Sequence, residues 1–361
     1  MLRLLKSTSL KGEAAVADGN AQGQWVGIDL HLHRSVICRI DAQGSELECV
    51  QIDNDPKTLV REVRKAGRKA PVAIEATYGW YWAVDALQAA KFEVHLAHPY
   101  GLKAMRSRRR VKTDAKDAYE LANLLRLGSL PEAYIAPPEL RQLRELVRHR
   151  TRLVSNATAV KAGIRALLAK HGIRLPASDL ESRSGTTQLD EVVLDGQFAR
   201  RLESQRRLLL VLTDEIGSVE VLLDKALRKN PHYRALQKIR GIGPVLAAIF
   251  VAEIGDITRF PTSDALACWA GITPRVYASD RTMRHGHVSK EGCALVRWAA
   301  VEAVQRQCEP CVREVKDRII ARRGRSARNI AKVAAAHRML DLVYYTMRDG
   351  QPRALAPAVA A

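Results

Sequence analysis

Aromatic residues are scarce in this chain, at 5% of 361 positions. Recognition of a partner by rows of stacked rings is therefore not its principal mode. Acidic residues are also in deficit. There are 39 Asp and Glu against 58 Lys and Arg, a formal net charge of +19. An excess of that size favours a polyanionic partner, nucleic acid first. No apolar run approaches the roughly 18–20 residues that cross a bilayer, so no membrane partner is expected. The opening MLRLLKSTSLKGEAAVADGN lacks the apolar stretch of a secretory signal. The six cysteines are scattered without framework spacing, which suits reduced thiols and a cytoplasmic location.

What is present falls into five stretches. Residues 1–23 are polar and read as a disordered leader. Between 24 and 130, runs of strand length alternate with helical ones. Trp25 to His33 opens the ordered part, and Ser35 to Ile40, Leu47 to Ile52, Pro71 to Ala76 and Phe92 to Ala97 have strand character. Pro56 to Lys65, Trp80 to Ala90 and Asp114 to Gly128 have helical character. This is the pattern of an α/β domain. Residues 138–230 read as an all-α, coiled-coil arm: an Arg-rich helix from Glu139 to His171, a loop or mobile tip over 172–196, and a second helix. In that helix Leu209, Leu212, Ile216, Val219 and Leu223 alternate spacings of three and four, continued weakly by Ala226. Residues 231–348 read as a mostly helical domain. Leu236 to Ala248 has the form of a helix-hairpin-helix, whose Gly241 and Gly243 leave backbone N–H groups free for a phosphate. A helix over 264–271, a loop from Ile272 to Lys290, and helices over 293–307 and 326–348 complete it. The Ala- and Pro-rich stretch 349–361 reads as a frayed tail.

Acids fall where open α/β sheets place their sites, at strand ends and a helix start. Asp29 ends a Gly-Ile-Asp strand and Glu75 ends an Ile-Glu strand. Asp114 and Asp117 stand three apart in the first turn of a helix and share a face there. Four carboxylates from three elements repel one another unless a cation neutralises them, which points to Mg²⁺ or Mn²⁺ with oxygen ligands. The basic run Arg106, Arg108, Arg109, Arg110 and Lys112 immediately precedes the pair and suits the delivery of a polyanion to that metal. His31, His33, His95 and His98 lack ligand spacing and read as structural. Cys308 and Cys311 form a single C-x-x-C, which is not the paired arrangement of a structural zinc site.

Gly27-Ile28-Asp29, Ile74-Glu75-Ala76-Thr77 and Lys112-Thr113-Asp114-Ala115-Lys116-Asp117-Ala118 resemble the D, E and D-x-x-D motifs of the DEDD transposases of insertion sequences. Ile239-Arg240-Gly241-Ile242-Gly243, then Gly271 through Ser279, then Ser289-Lys290-Glu291-Gly292, are similar to that family's second, serine-bearing domain. The resemblance implies an RNase H/RuvC-like N-terminal domain in which Asp29, Glu75, Asp114 and Asp117 bind the metal. It implies Ser279 as a nucleophile that forms a phosphoserine link to DNA. By their chemistry Arg275, Arg281 and Arg284 suit holding the phosphate and stabilising its charge, and Lys290 reads as a further nucleic-acid contact. The resemblance further implies a guide RNA, assembly as dimers and tetramers with composite active centres, and action on a bacterial nucleoid. Where that pattern has glycine after the serine, this chain has Asp280.

Two other classes fit the same residues. A RuvC-like resolvase or nuclease would use the acids with water as nucleophile and leave Ser279 dispensable. An inactive relative would bind nucleic acid without metal dependence. Ser289 reads as the N-cap of the following helix.

Overall fold

The strand that carries Asp29 lies inside a six-stranded sheet. The computed structural model describes residues 23–105, 113–279, 282–305 and 307–352. The chain divides into two compact units between Ile135 and Ala136. Those units agree with the expected α/β first part and mostly helical remainder.

The first unit runs β1 (Trp25–Leu30), β2 (Arg34–Ile40), β3 (Glu46–Asp53), α1 (Pro56–Arg64), β4 (Val72–Glu75), α2 (Trp80–Ala89), β5 (Val94–Ala97), α3 (Pro99–Met105), α4 (Asp114–Arg126) and β6 (Glu132–Ala133). The sheet order is β3-β2-β1-β4-β5-β6. β1, β4 and β5 are parallel, while β2, β3 and β6 run antiparallel to their neighbours. Side chains alternate between faces along each strand. Val26, Ile28, Leu30, Val72 and Ile74 therefore join the core with Leu59 and Val63 of α1 and Val84 and Leu87 of α2. Gly27, Asp29, Ala73 and Glu75 fall on the opposite face, which α4 covers with Ala118 and Leu121. Cys38 and Cys49 are registered partners on β2 and β3 and are bonded as a disulfide, which corrects the expectation that all six cysteines are reduced thiols.

Gly27 permits this layering. A Cβ there would stand 1.9 Å from the carbonyl oxygen of Ala118 and 2.6 Å from the amide nitrogen of Ala122. α4 lies on β1 backbone to backbone, with only small side chains at the crossing. Tyr119 donates to the Gly44 carbonyl at 2.8 Å and Arg126 to that of Ala42 at 3.1 Å, which ties the same helix to the β2–β3 turn.

The second unit is mostly helical: α5 (Pro138–Ala169), α6 (Arg183–Asp190), α7 (Gly196–Leu227), α8 (Pro231–Leu236), α9 (Pro244–Ile254), α10 (Ser263–Trp269), a hairpin of β7 (Pro274–Ser279) and β8 (Thr282–Val288), α11 (Ala294–Ala303), α12 (Pro310–Arg323) and α13 (Arg328–Asp349). α5 and α7 pack together along their length, and each has 32 residues, about 48 Å at 1.5 Å per residue. Of the expected seam, Leu209, Leu212, Val219 and Leu223 are buried, while Leu227 rather than Ala226 ends it. Both helices enter two cores, one shared with the tip and one with the helical body, so the expected arm and C-terminal domain fall in one unit.

Several expectations are corrected here. The stretch 172–196 contains α6, with Leu180 and Leu189 buried and Ser182 as its N-cap. The loop Ile272 to Lys290 is largely the β7–β8 hairpin, and α12 is an additional helix. The cap of α11 is Cys293, not Ser289, whose N–H instead donates to the Thr273 carbonyl at 3.0 Å. Three arginines of α5 make bonds within the unit: Arg148 grips Glu253 at 2.8 and 2.9 Å, Arg150 pairs with Glu220 at 2.7 Å, and Arg144 caps the carbonyls of Ala252 and Glu253.

Two glycine substitutions test this packing. Gly27→Ala forces α4 off β1 and is expected to destabilise by about 3 kcal/mol or more, the upper end of overpacking costs. Gly217→Ala lies inside α7, where an added Cβ meets nothing within 4 Å, and is expected to stabilise by about 0.5–1 kcal/mol. Denaturant unfolding measures both. Equal, small effects would contradict the packing described.

Candidate active site

The end of β1 and the start of α4 meet because the crossing at Gly27 holds them together. Two residues beyond Gly27, Asp29 sits on the α4 face with 8% of its surface exposed. Thr113 caps α4, its hydroxyl accepting the Lys116 N–H at 3.4 Å. The next residue, Asp114, therefore begins the helix directly over the strand end. Acids in a first helical turn are favoured by the free N–H groups there.

Three potential ligand atoms gather at this point: one each from Asp29, His31 and Asp114, all within 4.8 Å of one another. His31 Nε2 lies 3.2 Å from Asp29 Oδ2 and 3.6 Å from Asp114 Oδ1. Asp117 is buried one turn along α4, while Asp114 is exposed, so the two acids do not present equally on one face. Glu75 follows Ile74, the parallel partner of Ile28, and is half-buried on the Asp29 side of the sheet. Glu75 and Asp117 stand outside the three-atom group.

Charge at this point is under tension. Burial pushes the Asp29 carboxyl above the usual carboxylate range; His31 opposes that shift, and Asp117 and Asp114 add to it. A buried carboxylate crowded by two others is a site short of positive charge. The donor set of two carboxylates and an imidazole fits a divalent cation. The site opens into a cleft of about 700 Å³ lined by His31, Asp114, Arg34, Gln51 and the exposed Tyr78. Among the residues beside the acids, sequence reasoning missed His31, Arg34 and Tyr78. The available signal was the place of His31, two residues past a strand-end aspartate.

In the second unit, Ser279 ends β7 and pairs with Thr282 across the hairpin, whose hydroxyl donates to the Ser279 carbonyl at 3.0 Å. Ser279 shares a shallow concavity with Tyr277, Thr282 and Arg284. Arg275 is engaged by Glu291 at 2.5 Å. Lys290 is exposed in a left-handed backbone conformation, φ 56°. Gly241 has φ 100°, and a Cβ there would meet the Ala303 carbonyl at 2.2 Å. Its glycine is thus required by packing against α11. Gly243 is the N-cap of α9 with open space around it, and the neighbouring Arg240 N–H is taken by the Glu309 carboxylate at 2.8 Å. Arg106, Arg108, Arg109, Arg110, Lys112, Asp280 and Arg281 lie outside the described residues.

The raised Asp29 carboxyl has a sign. A folded-state value above the unfolded one gives stability that is fullest below the ordinary carboxylate range and lost as pH rises through the folded value. At neutral pH the metal-free protein carries that penalty. Asp29→Asn is therefore expected to melt higher than the wild type without metal, and to lose the rise in melting temperature that a divalent cation gives the wild type. A lower melting point for Asp29→Asn in chelator would contradict this electrostatic account.

Comparison with known proteins agrees with both units. The IS110 model of DEDD transposases, described as "Transposase", matches residues 26–173, and the model "Transposase IS116/IS110/IS902 family" matches residues 233–317. A "Probable family 20 transposase" of Pseudomonas aeruginosa is 27% identical, over 88% of this chain and 91% of its own length. The uncharacterized protein of insertion element IS116 from Streptomyces clavuligerus is 24% identical, over 93% of this chain and 97% of its own. The transposase for insertion sequence element IS1111A of Coxiella burnetii is 26% identical, over 64% of this chain and 66% of its own. With two models of one family matching in order, and relatives that span both units, the chain belongs to the IS110/IS116 family of transposases.

Proposed function

We propose that this transposase cuts and rejoins the ends of its own insertion sequence through a phosphoserine intermediate. The observation that carries the reading is the convergence of Asp29 and Asp114, with His31, at one point, with Asp117 acting on the Asp29 charge and Glu75 following the paired position on the neighbouring strand. The sheet order, three antiparallel strands followed by two parallel ones, supports a RuvC-like first unit.

In this reading Asp29, Asp114, Asp117 and Glu75 hold Mg²⁺ or Mn²⁺. When bound, the cation neutralises the carboxylates and polarises a phosphodiester oxygen. The Ser279 hydroxyl attacks the phosphorus: a Ser279 Oγ–P bond forms, one P–O bond of the DNA backbone breaks, and the proton from the serine ends on the released sugar hydroxyl. Attack by a sugar hydroxyl on the phosphoserine reverses the step on a new strand, so the bond count is conserved and no external energy source is needed. Arg284, beside Ser279, and Arg281 stabilise the charge on the phosphate. Gly243 at the open start of α9, together with Arg106, Arg108, Arg109, Arg110, Lys112 and Lys290, binds backbone phosphates. The net charge of +19 suits both DNA and a guide RNA. Dimers or tetramers bring the acid site of one chain to the serine of another. The protein acts in the bacterial cytoplasm.

The test is a denaturing gel for a protein–DNA adduct, with element-end DNA, RNA transcribed from the element's flank and Mg²⁺. An adduct is expected in the wild type and absent in both Ser279→Ala and Asp114→Ala. Cleavage that survives Ser279→Ala without an adduct would replace this reading with a nuclease that uses water.

A further inference from the structure

The acid motif does not account for His31. Its imidazole is half-exposed at the β1–β2 turn, yet its Nε2 stands between two carboxylates from different elements, 3.2 Å from Asp29 Oδ2 and 3.6 Å from Asp114 Oδ1. Adjacent ligands on a six-coordinate cation with bonds of about 2.1–2.2 Å are roughly 3 Å apart. The two imidazole–carboxylate spacings approach that value, and all three atoms lie within 4.8 Å of one another, close enough for one cation to reach each of them.

The turn that presents His31 is pinned. The His31 N–H donates to the Arg34 carbonyl at 3.1 Å. Asn54 Nδ2 donates to the carbonyls of His31 at 2.7 Å and Leu32 at 3.1 Å, and the Asn54 N–H to that of His33 at 2.9 Å. The amide oxygen of Asn54 accepts the Ser35 hydroxyl at 2.5 Å, and Ser35 is 0% exposed. Four bonds from Asn54 and its partners fix an exposed turn whose side chains include the imidazole beside Asp29. Supporting shells of this kind orient ligand histidines and set their contribution to affinity.

We propose that His31 is a direct ligand of the cation held by Asp29 and Asp114, and that its nitrogen tilts the site toward Mn²⁺ over Mg²⁺. This rests on the acid-site reading above. The physical ground for the preference is ligand chemistry. Carboxylate oxygens serve Mg²⁺ and Mn²⁺ alike, whereas an imidazole nitrogen favours the transition metal. A purely oxygen-lined site would not discriminate in this way.

The experiment is pulsed electron paramagnetic resonance of the full-length protein, free of any polyhistidine tag, titrated with Mn²⁺. Samples carry histidine with ¹⁴N or ¹⁵N. The expected result is one saturable Mn²⁺ site lost in Asp29→Asn, with the nitrogen coupling of a bound imidazole in the wild type. His31→Ala is expected to abolish that coupling and weaken Mn²⁺ binding on the order of ten- to a hundredfold, with Mg²⁺ binding changed much less. The isotope comparison in the wild type stands even if a variant misfolds. A saturable site lost in Asp29→Asn but without nitrogen coupling, or coupling retained in His31→Ala, overturns the role of His31 and leaves the acid site intact. No saturable Mn²⁺ site in the wild type overturns the acid-site reading, and the His31 role with it.

Discussion

The contact of α4 with β1 at Gly27 is the constraint on which the first unit depends. No side chain separates the strand from the helix there, so the distance between them is set by backbone atoms. Backbone contacts are stiffer than side-chain contacts, because no rotamer can change to absorb a shift. Everything that follows on either element is placed by that crossing: Asp29 two residues along the strand, and Asp114 and Asp117 on the turn of helix that precedes Ala118. Alternation along β1 and β4 then puts Asp29 and Glu75 on the helix side rather than in the core with Val26 and Ile74. An acid cluster assembled by backbone register needs few additional contacts to hold it.

That cluster is electrostatically incomplete. Burial and two neighbouring acids act on Asp29 together, and His31 only partly offsets them. A protein selected for stability alone would relieve such a cluster with a fixed salt bridge. Here the half-exposed imidazole and the open cleft leave room for a mobile cation and a phosphate instead. A cation bound there would offset the repulsion on Asp29, and such binding would couple the site to the stability of the unit.

Charge is handled differently in the second unit. Much of the basic character of α5 is spent inside the protein, on Glu253, Glu220 and the carbonyls that end α9. Arg148 and Glu253 form a two-pronged pair in which the carboxylate is nearly buried, and α5 is thereby registered on α9. Arg144, Arg148 and Arg150 thus hold the helices of this unit together, whatever else their charge does. Ser279 contrasts with Asp29: it sits on an exposed two-stranded hairpin rather than in a core. A hairpin of that kind is marginal by itself, and such segments are suited to being ordered by what they bind.

The sequence by itself determined a good deal. Strand alternation and helix periodicity are local properties, so the six elements from Trp25 to Ala89 and the two long helices were legible from residue spacing. So was the position of each acid at an element's end, and the second-unit motifs were legible by resemblance. Only the tertiary structure decided which of those acids meet. Whether Asp114 or Asp117 faces Asp29 depends on how α4 crosses β1, and Gly27 reads in sequence only as a small residue. His31 was passed over because its partners are distant along the chain or set two residues back, and no pattern of histidines marks it. Gly241 had the sequence form of a phosphate cradle, yet its requirement is the Ala303 carbonyl sixty-two positions on. The same holds for α5, whose arginines look solvated until α7 and α9 are placed against them. In each case the sequence names the chemical group, and the long-range packing chooses its partner.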